Sequence, residues 1–202
     1  MNHKIQILAG LACAFALTSC GAKDGNREET IQRAIEIISN HSDYNEDEGE
    51  LLIYEKNESD LGLVTIHLEP HDPEGQTIGV NTMISFNNKY NNYVNNAQMA
   101  IDLYAQTNYR YNLTFVMKSF YDYENDVFPF MYSTSARVGE DYVKGSNKYQ
   151  LLDESYKNEN GCPLTKKDSQ NLFERILILS FEGTKDFFTE NNLDFSVLYP
   201  NY

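Results

Sequence analysis

Tryptophan is absent from this chain of 202 residues, and cysteine occurs only three times. Basic residues are scarce: 16 Lys and Arg stand against 30 Asp and Glu, a formal charge of −14 with histidine neutral. A chain this acidic repels nucleic-acid phosphates and anionic lipid headgroups, which speaks against a nucleic-acid partner. A basic protein partner is compatible with it. Cys13 and Cys20 belong to an apolar leader and its end, so Cys162 is left alone. With no second thiol for an intramolecular disulfide, the domain must be held by packing.

Catalytic signatures are missing as well. There is no G-x-S-x-G elbow, no phosphate-binding loop and no G-x-G-x-x-G. Cys162 has no histidine near it in the chain. Paired carboxylates are too numerous in so acidic a sequence to identify a glycosidase. These shortages point away from an enzyme, and no cofactor is implied.

What is present begins at the N-terminus. Residues 1–4 carry one positive charge, residues 5–17 are apolar apart from Gln6 and Gly10, and "LTSC" follows at 17–20. A charged start, an apolar stretch and small residues at its end describe an export signal. A spanning helix needs about 20 apolar residues, and this run stops short. "LTSC" resembles the bacterial lipobox, and the resemblance covers the leader only. It implies cleavage before Cys20, lipid attachment at Cys20 and anchoring rather than spanning. Gly21 follows in place of the aspartate of inner-membrane retention, so the resemblance favours the outer membrane, with the domain facing the periplasm or the cell surface. The expected organisation is a signal peptide at 1–19, a lipidated tether at 20–25 and a single domain at 26–202. Without Lys4 the mature chain carries −15.

The domain reads as α+β, an antiparallel sheet with helices packed on one face. Asn26 reads as an N-cap with Glu29 as its capping-box partner, ahead of Ile31, Ala34, Ile35 and Ile38 on one helical face. Strands are expected at 51–56, 61–68 and 77–86. Val94, Ala97, Ile101 and Tyr104 sit at helical spacing, which predicts a helix to about residue 106. Residues 109–123 alternate, and 127–134 is an edge-strand candidate because of Pro129. The segment 139–161 has weak periodicity and reads as a partly exposed helix or a long excursion. Thr165 and Asp168 cap a further helix that Gly183 is expected to stop, although "ILIL" at 176–179 also fits a buried strand. A last short strand is expected at 195–199.

Two constellations resemble metal sites. In "DYNEDEGE" at 43–50, Asp43, Asn45 and Asp47 fit the first ligand positions of a calcium loop. Gly49 is one place late, and Tyr54 stands where a bidentate Glu is needed. In "HLEPH" at 67–71, His67 and His71 are four apart, but Pro70 forbids the helix that would aim both at zinc. No metal is assigned; a turn-borne site on His67 and His71 with Asp72 or Glu74 is what the sequence leaves open.

The expected function is protein binding by a membrane-anchored envelope lipoprotein, of an immunity or inhibitor type or as an assembly accessory. The charged contacts would be Asp43, Glu46, Asp47, Glu48 and Glu50 in one patch and Asp122, Glu124 and Asp126 in "DYEND". They would speed encounter with a basic partner more than tighten the complex. The alternative is a small-ligand or glycan binder using a tyrosine-lined cleft, since 15 Tyr are present. An envelope hydrolase ranks behind both.

Overall fold

The computed structural model describes residues 26–71, 76–87, 89–106, 109–139, 150–158 and 164–198. The leader, Cys20, the tether, Asp72, Glu74 and Cys162 lie outside them.

Alternation dictates the architecture. In β3 (Gly62–Pro70) Val64, Ile66 and Leu68 are buried while Thr65, His67 and Glu69 face outward. The same period of two runs through β4 (Thr77–Phe86), β5 (Asn96–Tyr104), β6 (Tyr109–Lys118) and β7 (Phe130–Gly139). With β1 (Tyr44–Asn45), β2 (Glu50–Glu58) and β8 (Gln150–Asn158), they form one antiparallel meander in the order β1 to β8. One face is apolar; the other is mainly polar, with Leu52, Leu63 and Met83 exposed on it.

Two helices cover the apolar face. α1 (Arg27–Ser39) starts where Asn26 Oδ1 accepts the Glu28 N–H at 3.1 Å and buries Ile31, Ala34 and Ile38. Its length of about 20 Å matches four strands at about 4.8 Å spacing, and it contacts β2, β3, β4 and β5. α2 (Lys166–Glu190) starts at a complete capping box between Thr165 and Asp168. Phe173 packs on Phe115 at 5.4 Å between centroids and Phe181 on Tyr111 at 5.8 Å. α2 therefore runs antiparallel to β6, and its backbone lies over β2, β4 and β5. A buried polar pair, Thr82 Oγ1 and Ser180 Oγ at 2.7 Å, joins helix to sheet, and Ser180 also donates to Ile176 O at 2.8 Å.

The buried side chain of Arg27 ties the start of the domain to its end. Its Nε donates to Tyr104 O at 2.6 Å, and Nη1 to Val197 O at 3.0 Å and Leu198 O at 3.2 Å. Nη2 donates to Arg110 O. The start of α1 thus sits at the end of the sheet where β5 stops and β6 begins, called here the near end. The β2–β3, β4–β5 and β6–β7 connections lie at the far end.

The α+β expectation is corrected. The described residues hold a sheet-dominated fold, eight strands against two α-helices, in an unbroken meander. The expected helix at 94–106 is β5. Ala97 and Ile101 satisfy both periods, but Met99 and Leu103 are buried with them, which only a strand allows. Gly183 does not stop α2; a Cβ there would stand 2.6 Å from Ile66 Cδ1, so the glycine lets helix and sheet approach. Residues 176–179 are helical, and Phe195–Val197 is a 3-10 turn rather than a strand. Of the segment 139–161, residues 150–158 are described and form β8, held as a strand by pairing with β7, and the rest after Gly139 lies outside the described residues.

Candidate functional site

The connection of β6 to β7 is built as a rigid tip. Ser119 closes its base: its backbone N–H donates to Phe130 O at 3.1 Å, and its Oγ accepts the Phe130 N–H at 3.1 Å. Asp122 and Val127 then exchange backbone bonds at 2.7 and 3.2 Å. Inside this bridge the Asp122 carboxylate accepts from Glu124 N at 3.0 Å, Asn125 N at 3.2 Å and Asn125 Nδ2 at 2.7 Å. Short polar side chains that bond their own backbone two residues on are the usual makers of tight turns. The Asn125 amide, followed by these backbone N–H groups, holds the Asp122 carboxyl below the usual aspartate range. Asp126 takes a left-handed φ of 57° and accepts the Tyr121 hydroxyl.

Aromatic rings fill the same tip. Tyr121 packs edge-on against Tyr123 at 4.9 Å and Phe128 at 5.2 Å, and Lys118 Nζ stands 5.2 Å from the Phe128 centroid. Tyr123 is 87% exposed and Phe120 66%. Two large aromatic side chains held in water beside Asp122, Glu124 and Asp126 form a surface with both apolar anchors and charge. The sequence showed the carboxylates of this segment and missed Phe120 and Tyr123. The available signal was the break of alternation after Met117, just before turn-forming residues.

The other acidic patch is different in kind. Asn45 Oδ1 accepts from Asp47 N at 3.1 Å and Glu48 N at 3.3 Å, its amide donates to Glu48 Oε2 at 2.9 Å, and Gly49 turns the chain at φ 73°. Asp43, Glu46, Asp47 and Glu48 are exposed, and the one ring of the loop, Tyr44, is half-buried against the core. This loop lies at the near end, so the meander keeps the two patches at opposite ends of the sheet. Glu50 leaves the loop altogether. It starts β2, and its Oε2 stands 3.6 Å from His67 Nδ1 on the outer face. Burial raises its pKa, and the His67 charge opposes this.

The two histidines do not converge on one point. His67 belongs with Glu50. His71 lies over Gly79, where a Cβ would stand 2.1 Å from Nε2, and the bare glycine is what admits the ring. From there Nε2 reaches Glu69 at 3.6 Å and Asp102 at 4.0 Å. Glu69, Gly79, Asp102 and Asn112 are register partners across four strands. Asn81 Nδ2 donates to Glu69 Oε1 at 2.5 Å, and Asn112 Nδ2 to the Tyr104 hydroxyl at 2.7 Å. Burial pushes the Asp102 carboxyl up, with His71 opposing. Among the described residues no group of three or more His, Cys, Asp or Glu is arranged to hold a metal ion. No helix among them is long and apolar enough to cross a membrane. No family model, no curated protein and no solved structure matches the chain.

Proposed function

We propose that the protein is a lipid-anchored envelope protein that acts by holding a partner protein, and that the β6–β7 tip is its contact. The observation that carries this is the exposure of Phe120 and Tyr123 on a turn fixed by hydrogen bonds and flanked by three carboxylates. Rigid aromatic side chains supply contact area at low entropic cost, and aromatics dominate the energetics of protein interfaces. The neighbouring carboxylates suit a basic partner, as does the charge of −14.

The geometry of attachment supports the same reading. An anchor at Cys20 stands six residues before Asn26, and six residues reach at most about 20 Å. The domain begins at the near end, and strands of ten residues carry the tip about 33 Å away. Lipid at Cys20 would therefore keep the acidic loop beside the bilayer and hold the tip out from it, on whichever side of the outer membrane the domain faces.

The test is site-specific photocrosslinking in cells, with the reactive residue placed at Tyr123 or at Asp47. A dominant protein adduct at the tip and none at the loop is expected; adducts at the loop alone contradict the assignment. For the anchor, Cys20→Ser is expected to move the protein out of the membrane fraction, and a variant that still fractionates with membranes removes the lipid from the account.

A further inference from the structure

Besides the tip, the far end carries a groove of about 390 Å³. That volume lies in the lower part of the range of small-molecule sites. Its walls come from three separate segments: Asp60 and Leu61 after β2, Tyr90 in the 3-10 turn after β4, and Asn171, Leu172 and Arg175 from the first turns of α2. Leu61 and Leu172 are buried and give it an apolar floor. The half-buried Tyr90 stands edge-on to Phe86 at 5.7 Å, which fixes the ring beside that floor.

Opposite charges meet at the rim. Arg175 Nε donates to Asp60 Oδ2 at 3.4 Å, and both side chains are substantially exposed. This is a long, single contact; an Arg and a carboxylate that serve each other fully pair through two shorter bonds. An exposed pair of this kind contributes little to stability. Among the described residues the two terminal amino groups of Arg175 make no hydrogen bond, and Asp60 has no second one. The site thus offers one acceptor and one two-pronged donor, side by side, above an apolar floor with an aromatic wall.

We propose that this groove binds a small zwitterion, an α-amino carboxylate with an apolar side chain. The ammonium group meets Asp60, the carboxylate meets the terminal amino groups of Arg175 with the Asn171 amide beside them, and the side chain lies over Leu61 and Leu172 against Tyr90. A simple anion would face Asp60 and the negative field of the chain, and a simple cation would face Arg175. Only a ligand carrying both charges satisfies both walls. This site is independent of the tip, so the failure of either leaves the other standing.

The experiment is calorimetric titration of the full chain in detergent with L-phenylalanine and L-leucine, beside N-acetyl-phenylalanine and phenylalanine amide. Saturable binding of a free amino acid is expected, weakened at least about tenfold by blocking either charged group. Asp60→Asn and Arg175→Gln are expected to lose it to the same degree, with circular dichroism unchanged because both side chains are on the surface. No saturable heat from either amino acid up to about 10 mM, equal binding of the blocked forms, or unchanged binding by both variants each overturns the proposal.

Discussion

The two ends of this sheet carry similar charge and opposite construction. At the near end α1 crosses the strands, Arg27 gathers four backbone carbonyls, and the acidic loop exposes its carboxylates while its one ring, Tyr44, packs on the core. At the far end the acids of the tip stand among rings, two of them largely exposed, and a groove opens beside α2. Charge in water steers a partner but holds it weakly; apolar area that is rigid and already exposed is what binding gains from. Counting carboxylates favours the loop, with Asp43, Glu46, Asp47 and Glu48 against Asp122, Glu124 and Asp126, and the surroundings reverse that order.

The largest effect belongs to the near end and concerns stability. Arg27→Ala leaves carbonyls of Tyr104, Arg110, Val197 and Leu198 without their donor. A bond to a charged group is worth about 1.5–3 kcal/mol, but four bonds made by one side chain do not add and carbonyls at the sheet end regain water, so a loss of about 4 kcal/mol in chemical denaturation is expected. Crosslinking from the tip should survive wherever the variant stays folded. A loss below about 1 kcal/mol would mean that the near end is not the tied one.

Next comes the rigidity of the tip. Asp122→Ala removes the acceptor of three bonds inside the turn, and affinity for the partner crosslinked at Tyr123 is expected to fall about tenfold. The melting temperature should stay put, because the turn buries little. Unchanged affinity would show that the tip need not be preorganised.

Neutralising Asp43, Glu46, Asp47 and Glu48 together is expected to slow association severalfold at low salt and to leave dissociation unchanged. A faster dissociation would move the contact to the loop and reverse the comparison.

The smallest effect is a pH dependence on the outer face. Burial raises the Asp102 pKa in the folded state, so the folded protein binds a proton more readily than the unfolded chain. Stability from this group is therefore greater below the usual aspartate range and declines as pH rises through the raised folded value. Asp102→Asn removes that dependence. The difference in melting temperature between wild type and variant should shift in favour of wild type as pH is lowered from 6 to about 4; a shift the other way would contradict the burial.

Much of the core was legible. Val64, Ile66 and Leu68, then Ile78, Val80, Ile84 and Phe86, alternate clearly, and Thr165 with Asp168 announces α2. β5 was not legible from Val94, Ala97, Ile101 and Tyr104 alone, because a spacing of four fits a strand as well as a helix. β8, "QLLDESYKN", owes its state to the strand beside it, which no local pattern records. Gly183 reads as a stop because glycine weakens helices, and only the approach of Ile66 shows why it is tolerated mid-helix. The tip was half legible: Asp122, Glu124 and Asp126 announce a charged turn, but an exposed ring and a buried ring look alike in sequence. The groove was not legible at all, since Asp60, Tyr90 and Arg175 are brought together by the meander and by the direction of α2.

The central claim is that the aromatic tip, and not the acidic loop, holds the partner. Its most direct test is the dissociation constant of the partner captured at Tyr123, measured for wild type and for Phe120→Ser with Tyr123→Ser. A loss of about a hundredfold with an unchanged melting temperature is the predicted result. Affinity within about twofold of wild type would contradict it.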